Sequence, residues 1–390
     1  MLWVSPPARA VSLHTFLPLC LMAGSSVPDR LRPSFQHPAR ALAEQLRDHA
    51  PTLVWHALHP SRRESFRESS LLAVDRLYWS ADDGWSGSIQ YVPPCPGGSG
   101  EPVVLLHTLG LGADAFRVGR ARSLVGLLSA AGHGVYLPAL RGDREATGPA
   151  GSAFRPDDVS EFDVPAILTA VRAHGRAARP LIIGHGTGGL ALAGHLARRG
   201  DQDLAAVVML SVPVRFPGLD AATRLGMRIA AGAGLDLPMR AAARLAAVFG
   251  DPEQRVRGAT MRTALIDATE DVPVAWLHTL ERWCAAGSLV DRSGTRELAL
   301  ALRGVRVPLL VATSTGDTWC PPDRAEALLR LWGGRTEHLA LEGDLGHLDL
   351  LLHPSASSLV SEPIVRWLNQ HRRESWGAGP GAPAVEVRGG

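Results

Sequence analysis

The chain contains no lysine, so all 40 of its basic residues are arginine. That absence removes several chemistries. No ε-amino group can reach a nucleotide phosphate from a Gly-rich loop, form a Schiff base, or activate a serine as a Ser–Lys pair. Cysteine is scarce: Cys20, Cys95, Cys284 and Cys320 lie far apart and form no C-x-x-C pair. This spacing argues against a zinc ribbon and against a disulfide framework, and it fits a reducing compartment. The 15 histidines are scattered with no H-E-x-x-H motif, so neither a metal nor a cofactor is expected. Charge of one sign is also missing. The net charge is +2, without a basic run or an acidic block, which argues against nucleic acid as a partner. No apolar run is long enough to span a bilayer. The nearest, Val11 to Ala23, is interrupted by His14 and Pro18. Residues 1–24 therefore read either as a signal peptide or as a mis-assigned start ahead of Met22, with cytoplasmic location as the default. Nothing in the chain specifies an oligomeric state.

What is present is a regular alternation. Hydrophobic residues make up 46% of the 390 positions, enough for a large buried core. From Pro102 onward, short strand-like runs, most of them apolar, alternate with helical patterns. The runs are Val103–Leu106, Gly134–Pro138, Leu181–Ile183, Leu204–Leu210, Val307–Ala312 and Thr336–Leu341. The helices between and after them are Ala115–Ala131, Phe162–His174, Gly189–Arg198, Arg324–Leu331 and Ser355–His371. Strands apolar on both faces and separated by helices predict an α/β fold, with a mostly parallel sheet covered on both sides. Residues 101–213 and 305–372 form this core. Residues 214–304 break the rhythm with Ala- and Arg-rich helical sequence, expected to be a cap inserted between two strands. Residues 25–100 read as an N-terminal extension and first strands, with a helix at Pro38–His49 and an edge-like strand at Gly87–Val92. Residues 373–390 read as a disordered tail.

The segment from Leu181 carries the chemistry. A β-branched run enters Gly184-His185-Gly186-Thr187-Gly188 and leaves into an apolar helix. This strand–turn–helix has the form of a nucleophile elbow, G-x-S-x-G, with Gly186 at the place of the attacking serine. A Gly-rich turn of this kind could instead cradle a phosphate. Against that, G-x-G-x-G-G is not the dinucleotide fingerprint, and no acidic residue ends the next strand. Three further features stand in order around the elbow. His107-Thr108-Leu109-Gly110 follows an early strand, where a backbone N–H can enter an oxyanion hole. The Leu109 and Thr187 N–H groups are the expected donors, and His107, Thr108 and His185 the expected substrate contacts. Asp317 lies in a turn after the strand that follows the cap, and His347 lies in a loop before the last helix. Alone, each of these is an ordinary turn residue. Together they follow the order nucleophile, acid, histidine.

The elbow, Asp317 and His347 make residues 102–371 resemble the α/β-hydrolase superfamily. Within it, Phe162-Asp163-Val164-Pro165-Ala166, the Gly287–Gly294 run, Gly316–Pro322 and Gly346–Leu350 resemble a little-characterised group of bacterial and plant hydrolase-like proteins. Those relatives carry serine where this chain has Gly186. The resemblance implies esterase- or lipase-like acyl hydrolysis, and Gly186 removes the group that forms the acyl-enzyme. The expectation is a degenerate hydrolase with weak or no serine-type activity on a small apolar or acyl-bearing molecule. A water in the space of the missing hydroxymethyl, with His347 as base, would give slow hydrolysis. The alternatives are a ligand-binding pseudoenzyme and a lyase that uses His347 alone. Cys320, beside Asp317, reads as a buried bland thiol.

Overall fold

The computed structural model describes residues 75–98, 102–216 and 269–376, apart from positions 151, 153, 176–178, 318 and 344. Residues 1–24, the helix expected at Pro38–His49, most of the 214–304 block and the end of the tail lie outside the described residues.

The centre is a nine-stranded sheet. In chain order its strands are β1 (Asp75–Ser80), β2 (Ser86–Val92), β3 (Val103–Leu106), β4 (Val135–Pro138), the short β5 (Ala146–Thr147), β6 (Leu181–His185), β7 (Ala206–Leu210), β8 (Leu309–Ser314) and β9 (Thr336–Leu341). The spatial order is β1-β2-β4-β3-β6-β7-β8-β9, with β5 also paired to β2. From β4 across to β9 every pairing is parallel, while β2 meets β1, β4 and β5 antiparallel. Gly87–Val92 is therefore not an edge. Its alternation reflects a strand that is second from the edge, with β1 outside it.

The period of two explains how the sheet is covered. Val104, Leu106, Ile182, Val207 and Met209 face one side, with α2 (Val164–His174) and α3 (Gly186–Arg199) packed over them. Val103, Leu105, Leu181, Ile183 and Val208 face the other, against α1 (Leu124–Ala130) and α8 (Glu362–Trp376). Each buried Val, Ile or Leu contributes about 1.5–3 kcal/mol of transfer free energy, which outweighs any local preference of these short strands.

The helix expected over Ala115–Ala131 is broken. Two 3-10 turns, Ala113–Arg117 and Arg120–Arg122, precede α1. Gly119 between them has φ +94°, and the Ser123 hydroxyl then caps α1 by accepting from Gly126 N at 3.1 Å. Two other helices of the core, α2 and α8, also start differently from their sequence pattern, each preceded by a wider π turn, Val159–Asp163 before α2 and Ser357–Ser361 before α8.

The chain leaves the sheet after β7 and returns through α4 (Val274–Ala286) and α5 (Leu298–Ala301). Leu298, Ala299 and Leu302 join the same core as α3, so this end of the expected cap belongs to the flank of the sheet. Ion pairs tie the returning segment down. Arg282 Nη2 donates to Asp157 Oδ2 at 2.6 Å, and Arg292 pairs with Asp158. α6 (Pro322–Leu331) follows β8, and α7 (Asp349–Leu352) follows β9. None of the described helices is long and apolar enough to cross a membrane.

Candidate active site

From β3 the chain passes first to β4 on one side and then to β6 on the other. The loops leaving the carboxyl ends of β3 and β6 therefore diverge and open a crevice, the usual place for a ligand in such sheets. His107-Thr108, His185-Gly186, Asp317 and His347 all follow strand ends at this edge.

His347 Nδ1 lies 3.0 Å from Asp317 Oδ2. Asp317 is itself held, because its Oδ1 accepts from Trp319 N at 2.8 Å and from Cys320 N at 3.1 Å. Burial would raise the Asp317 carboxyl, but the His347 bond and charge, with the surrounding donors, bring it down to about 2. An ionised Asp317 makes Nδ1 the protonated nitrogen of a neutral His347 and leaves Nε2 as a free base. His185 stacks on His347, with ring centroids 4.6 Å apart and planes 23° apart. His185 Nε2 is also 3.0 Å from the His347 carbonyl oxygen. Burial lowers the His185 pKa to about 3, so it packs as a neutral ring. It is not among the residues that line the cleft described below. It lies fully buried behind His347 and holds that residue in place. Cys320 is buried too, and burial pushes its thiol up, away from reactivity.

Gly186 opens α3 with φ +50°. A Cβ at this position would stand 2.7 Å from His347 Nε2, 2.9 Å from Thr108 Cβ, and closer still to Thr108 Oγ1. The space of the missing serine side chain is thus not left for water. Thr108, from the loop after β3, already fills it. The two expected oxyanion donors are engaged as well: Thr187 N donates to Thr108 Oγ1 at 3.3 Å, and Leu109 N donates to Thr187 Oγ1 at 2.6 Å. Sequence spacing placed both N–H groups at the site but gave no sign that two threonine hydroxyls would cap them.

A small, partly open cleft lies beside this cluster, bordered by Thr108, Leu109, Leu140, Val159, Thr187 and Trp276. His347 and Gly186 are not among its lining residues, whereas Thr108 borders both the cleft and the Gly186 position. His107 also lines the cleft, but as a tethered group. Its Nε2 is 2.8 Å from Asp143 Oδ2 and its Nδ1 is 3.2 Å from the Thr108 carbonyl. Burial opposes the His107 charge, yet Asp143 and Glu270 outweigh it and raise the pKa. Asp143 and Glu270 lie 36 and 163 positions downstream of His107, and no local motif announced them. The segment carrying Glu270 docks here, with Glu270 N donating to the Gly110 carbonyl at 3.0 Å. Among the described residues no group of three His, Cys, Asp or Glu side chains is placed to hold a metal ion.

Solved structures with the same fold include a thermophilic esterase from Thermogutta terrifontis, 18% identical, with TM-score 0.52 over 76% of this chain and 99% of that one. An esterase from Exiguobacterium antarcticum is 15% identical, with TM-score 0.52 over 75% of this chain and 98% of that one. A bacterial membrane phospholipase A is 16% identical, with TM-score 0.53 over 85% of this chain and 96% of that one. At such identities the likeness shows the fold alone. No curated protein matches the sequence. A model of the alpha/beta hydrolase family matches residues 103–357, the stretch that holds the sheet from β3 onward, the elbow, Asp317 and His347, and the chain belongs to that family.

Proposed function

We propose that this chain is a degenerate hydrolase of the esterase and lipase kind. It takes a small apolar or acyl-bearing molecule in the cleft and turns it over weakly, without an acyl-enzyme at position 186. One observation carries the reading. The His347–Asp317 pair keeps the geometry of a working base at 3.0 Å, yet its free nitrogen faces a glycine. A chain selected only for its fold has no need of a carboxylate at about 2 locked onto a histidine. Loss of one triad member leaves a residual rate of roughly 10³–10⁴-fold over water, so weak turnover is the expected level. Apolar walls at Leu109, Leu140, Val159 and Trp276 suit an acyl chain. The segment after Thr269 shapes one side of the cleft, in the manner expected of a cap.

Initial rates on short-chain p-nitrophenyl esters test this. His347→Ala is expected to lower turnover at least about tenfold, a loss typical of a removed general base, and Asp317→Asn to lower it similarly. Turnover unchanged in His347→Ala would remove the base from the mechanism. The capping of both oxyanion donors favours a second reading, a ligand-binding pseudoenzyme, which predicts acyl-ligand binding in the cleft with no His347-dependent rate.

A further inference from the structure

We propose that Thr108 supplies the hydroxyl that Gly186 lacks and acts as the nucleophile of this site. The inference rests on the hydrolase reading above and deepens it.

Position comes first. Thr108 Oγ1 and His347 Nε2 converge on the same point, the place where a Cβ on residue 186 would stand. Such a Cβ would be only 2.9 Å from Thr108 Cβ, so the threonine can sit there only because residue 186 is glycine. A hydroxyl has been lost from the elbow, and another has entered the same volume from the neighbouring loop. The second ground is the proton. Thr108 Oγ1 accepts from Thr187 N, and no acceptor for its own proton is found among the described residues. With Nδ1 committed to Asp317, the base facing that volume is His347 Nε2. Third, Thr108 borders the cleft, so this residue adjoins the space that a substrate would enter.

The neighbouring threonine completes the arrangement. Thr187 Oγ1 accepts from Leu109 N at 2.6 Å, and its own proton has no acceptor among the described residues. The Leu109 N–H therefore polarises a hydroxyl that can donate in turn. This gives an oxyanion one donor, the Thr187 hydroxyl, beside Thr108, while Thr187 N–H is committed to Thr108 Oγ1.

The chemistry balances without any added oxidant or metal. Thr108 Oγ1 forms a bond to the ester carbonyl carbon while its proton passes to His347 Nε2. The carbonyl π pair moves onto oxygen, where Thr187 holds it. Collapse expels the alkoxide, which takes the proton from His347 and leaves as the alcohol, giving a threonyl ester. Water then adds to that ester and gives its proton to His347. The second collapse releases the acid and returns the proton to Thr108.

A fluorophosphonate probe tests the assignment, because an activated hydroxyl displaces its fluoride and keeps the phosphonyl group. Intact mass and peptide mapping of the full chain are expected to show one adduct, on the peptide carrying Thr108. Thr108→Ser should react at least as fast. The near-isosteric Thr108→Val and His347→Ala should each react more than tenfold more slowly, with melting curves confirming that both fold. No adduct on the wild type, an adduct on another residue, or labelling undiminished in Thr108→Val overturns the proposal. If Thr108→Val does not fold, the mapped position in the wild type and in Thr108→Ser decides. Ester turnover separates the two levels. Loss in His347→Ala but not in Thr108→Val removes Thr108 and leaves His347 as a base for water. No His347-dependent turnover in the wild type removes the hydrolase reading and Thr108 with it.

Discussion

Residues 108 and 186 exclude each other, and this decides how the site responds to repair. Restoring serine at 186 places a Cβ on top of Thr108 Oγ1 and 2.9 Å from Thr108 Cβ. The expected result for Gly186→Ser alone is a loss of about 1–3 kcal/mol from overpacking, with no gain of esterase rate. Thr108→Gly combined with Gly186→Ser removes the contacts with Thr108, leaves His347 Nε2 as the neighbour that must shift, and also frees Thr187 N. The pair should regain that stability, measured by urea denaturation, and exceed the wild-type esterase rate at least about tenfold, within the 10²–10³ that one restored oxyanion donor can contribute. A single Gly186→Ser variant as active as the pair would show that Thr108 is no obstacle. The sequence revealed the vacancy at 186 but not its occupant. Glycine is visible in a motif, whereas the threonine that fills its space lies 78 positions earlier and reaches it only once β3 and β6 pair. Asp317 and His347 were legible for the opposite reason: their positions follow from chain order on a known sheet.

Among the elements, the start of α3 is pressed closely against the backbone at the end of β3. A Cβ on Gly188 would stand 2.5 Å from the Leu106 carbonyl oxygen and closer to that of His107. In an exposed helix, glycine to alanine gains up to about 1 kcal/mol in propensity. Here the backbone of β3 cannot yield as a flexible side chain would. Gly188→Ala is therefore expected to cost about 1–3 kcal/mol net, read as a lower urea midpoint at unchanged slope. A neutral or stabilising outcome would mean that α3 can lift off β3. The elements themselves were legible where the apolar run was continuous, as in β3, β6 and β7. They were misread where local geometry overrode the pattern. Ala115–Ala131 looks like one helix until Gly119 turns at φ +94°, and β1 hides because most of its side chains are exposed.

For the whole molecule, the buried histidines set the pH range of stability. Burial brings His185 to about 3 and His195 to about 4. Unfolding returns both to about 6.5, so below that pH the unfolded chain binds more protons and stability falls with acidification. His107 works the other way. Its folded pKa is raised, so its contribution is complete below about 6.5 and is lost as pH rises through the folded value. The melting temperature is expected to peak near pH 6.5 and to decline on both sides. His195→Gln should flatten the acid limb and His107→Gln the alkaline limb, in melting curves taken from about pH 4 to about pH 9. Limbs unaltered by either change would assign the pH response to other groups. The packing of Thr108 against Gly186 has a consequence beyond these measurements. With a serine at 186 the threonine has no room, and with the threonine in place a returning serine meets an occupied point. In a descendant of this chain, a serine at 186 fits only if a second, distant codon changes with it. Random single-site mutation will therefore walk past a serine elbow, and the threonine behaves in heredity as a ratchet.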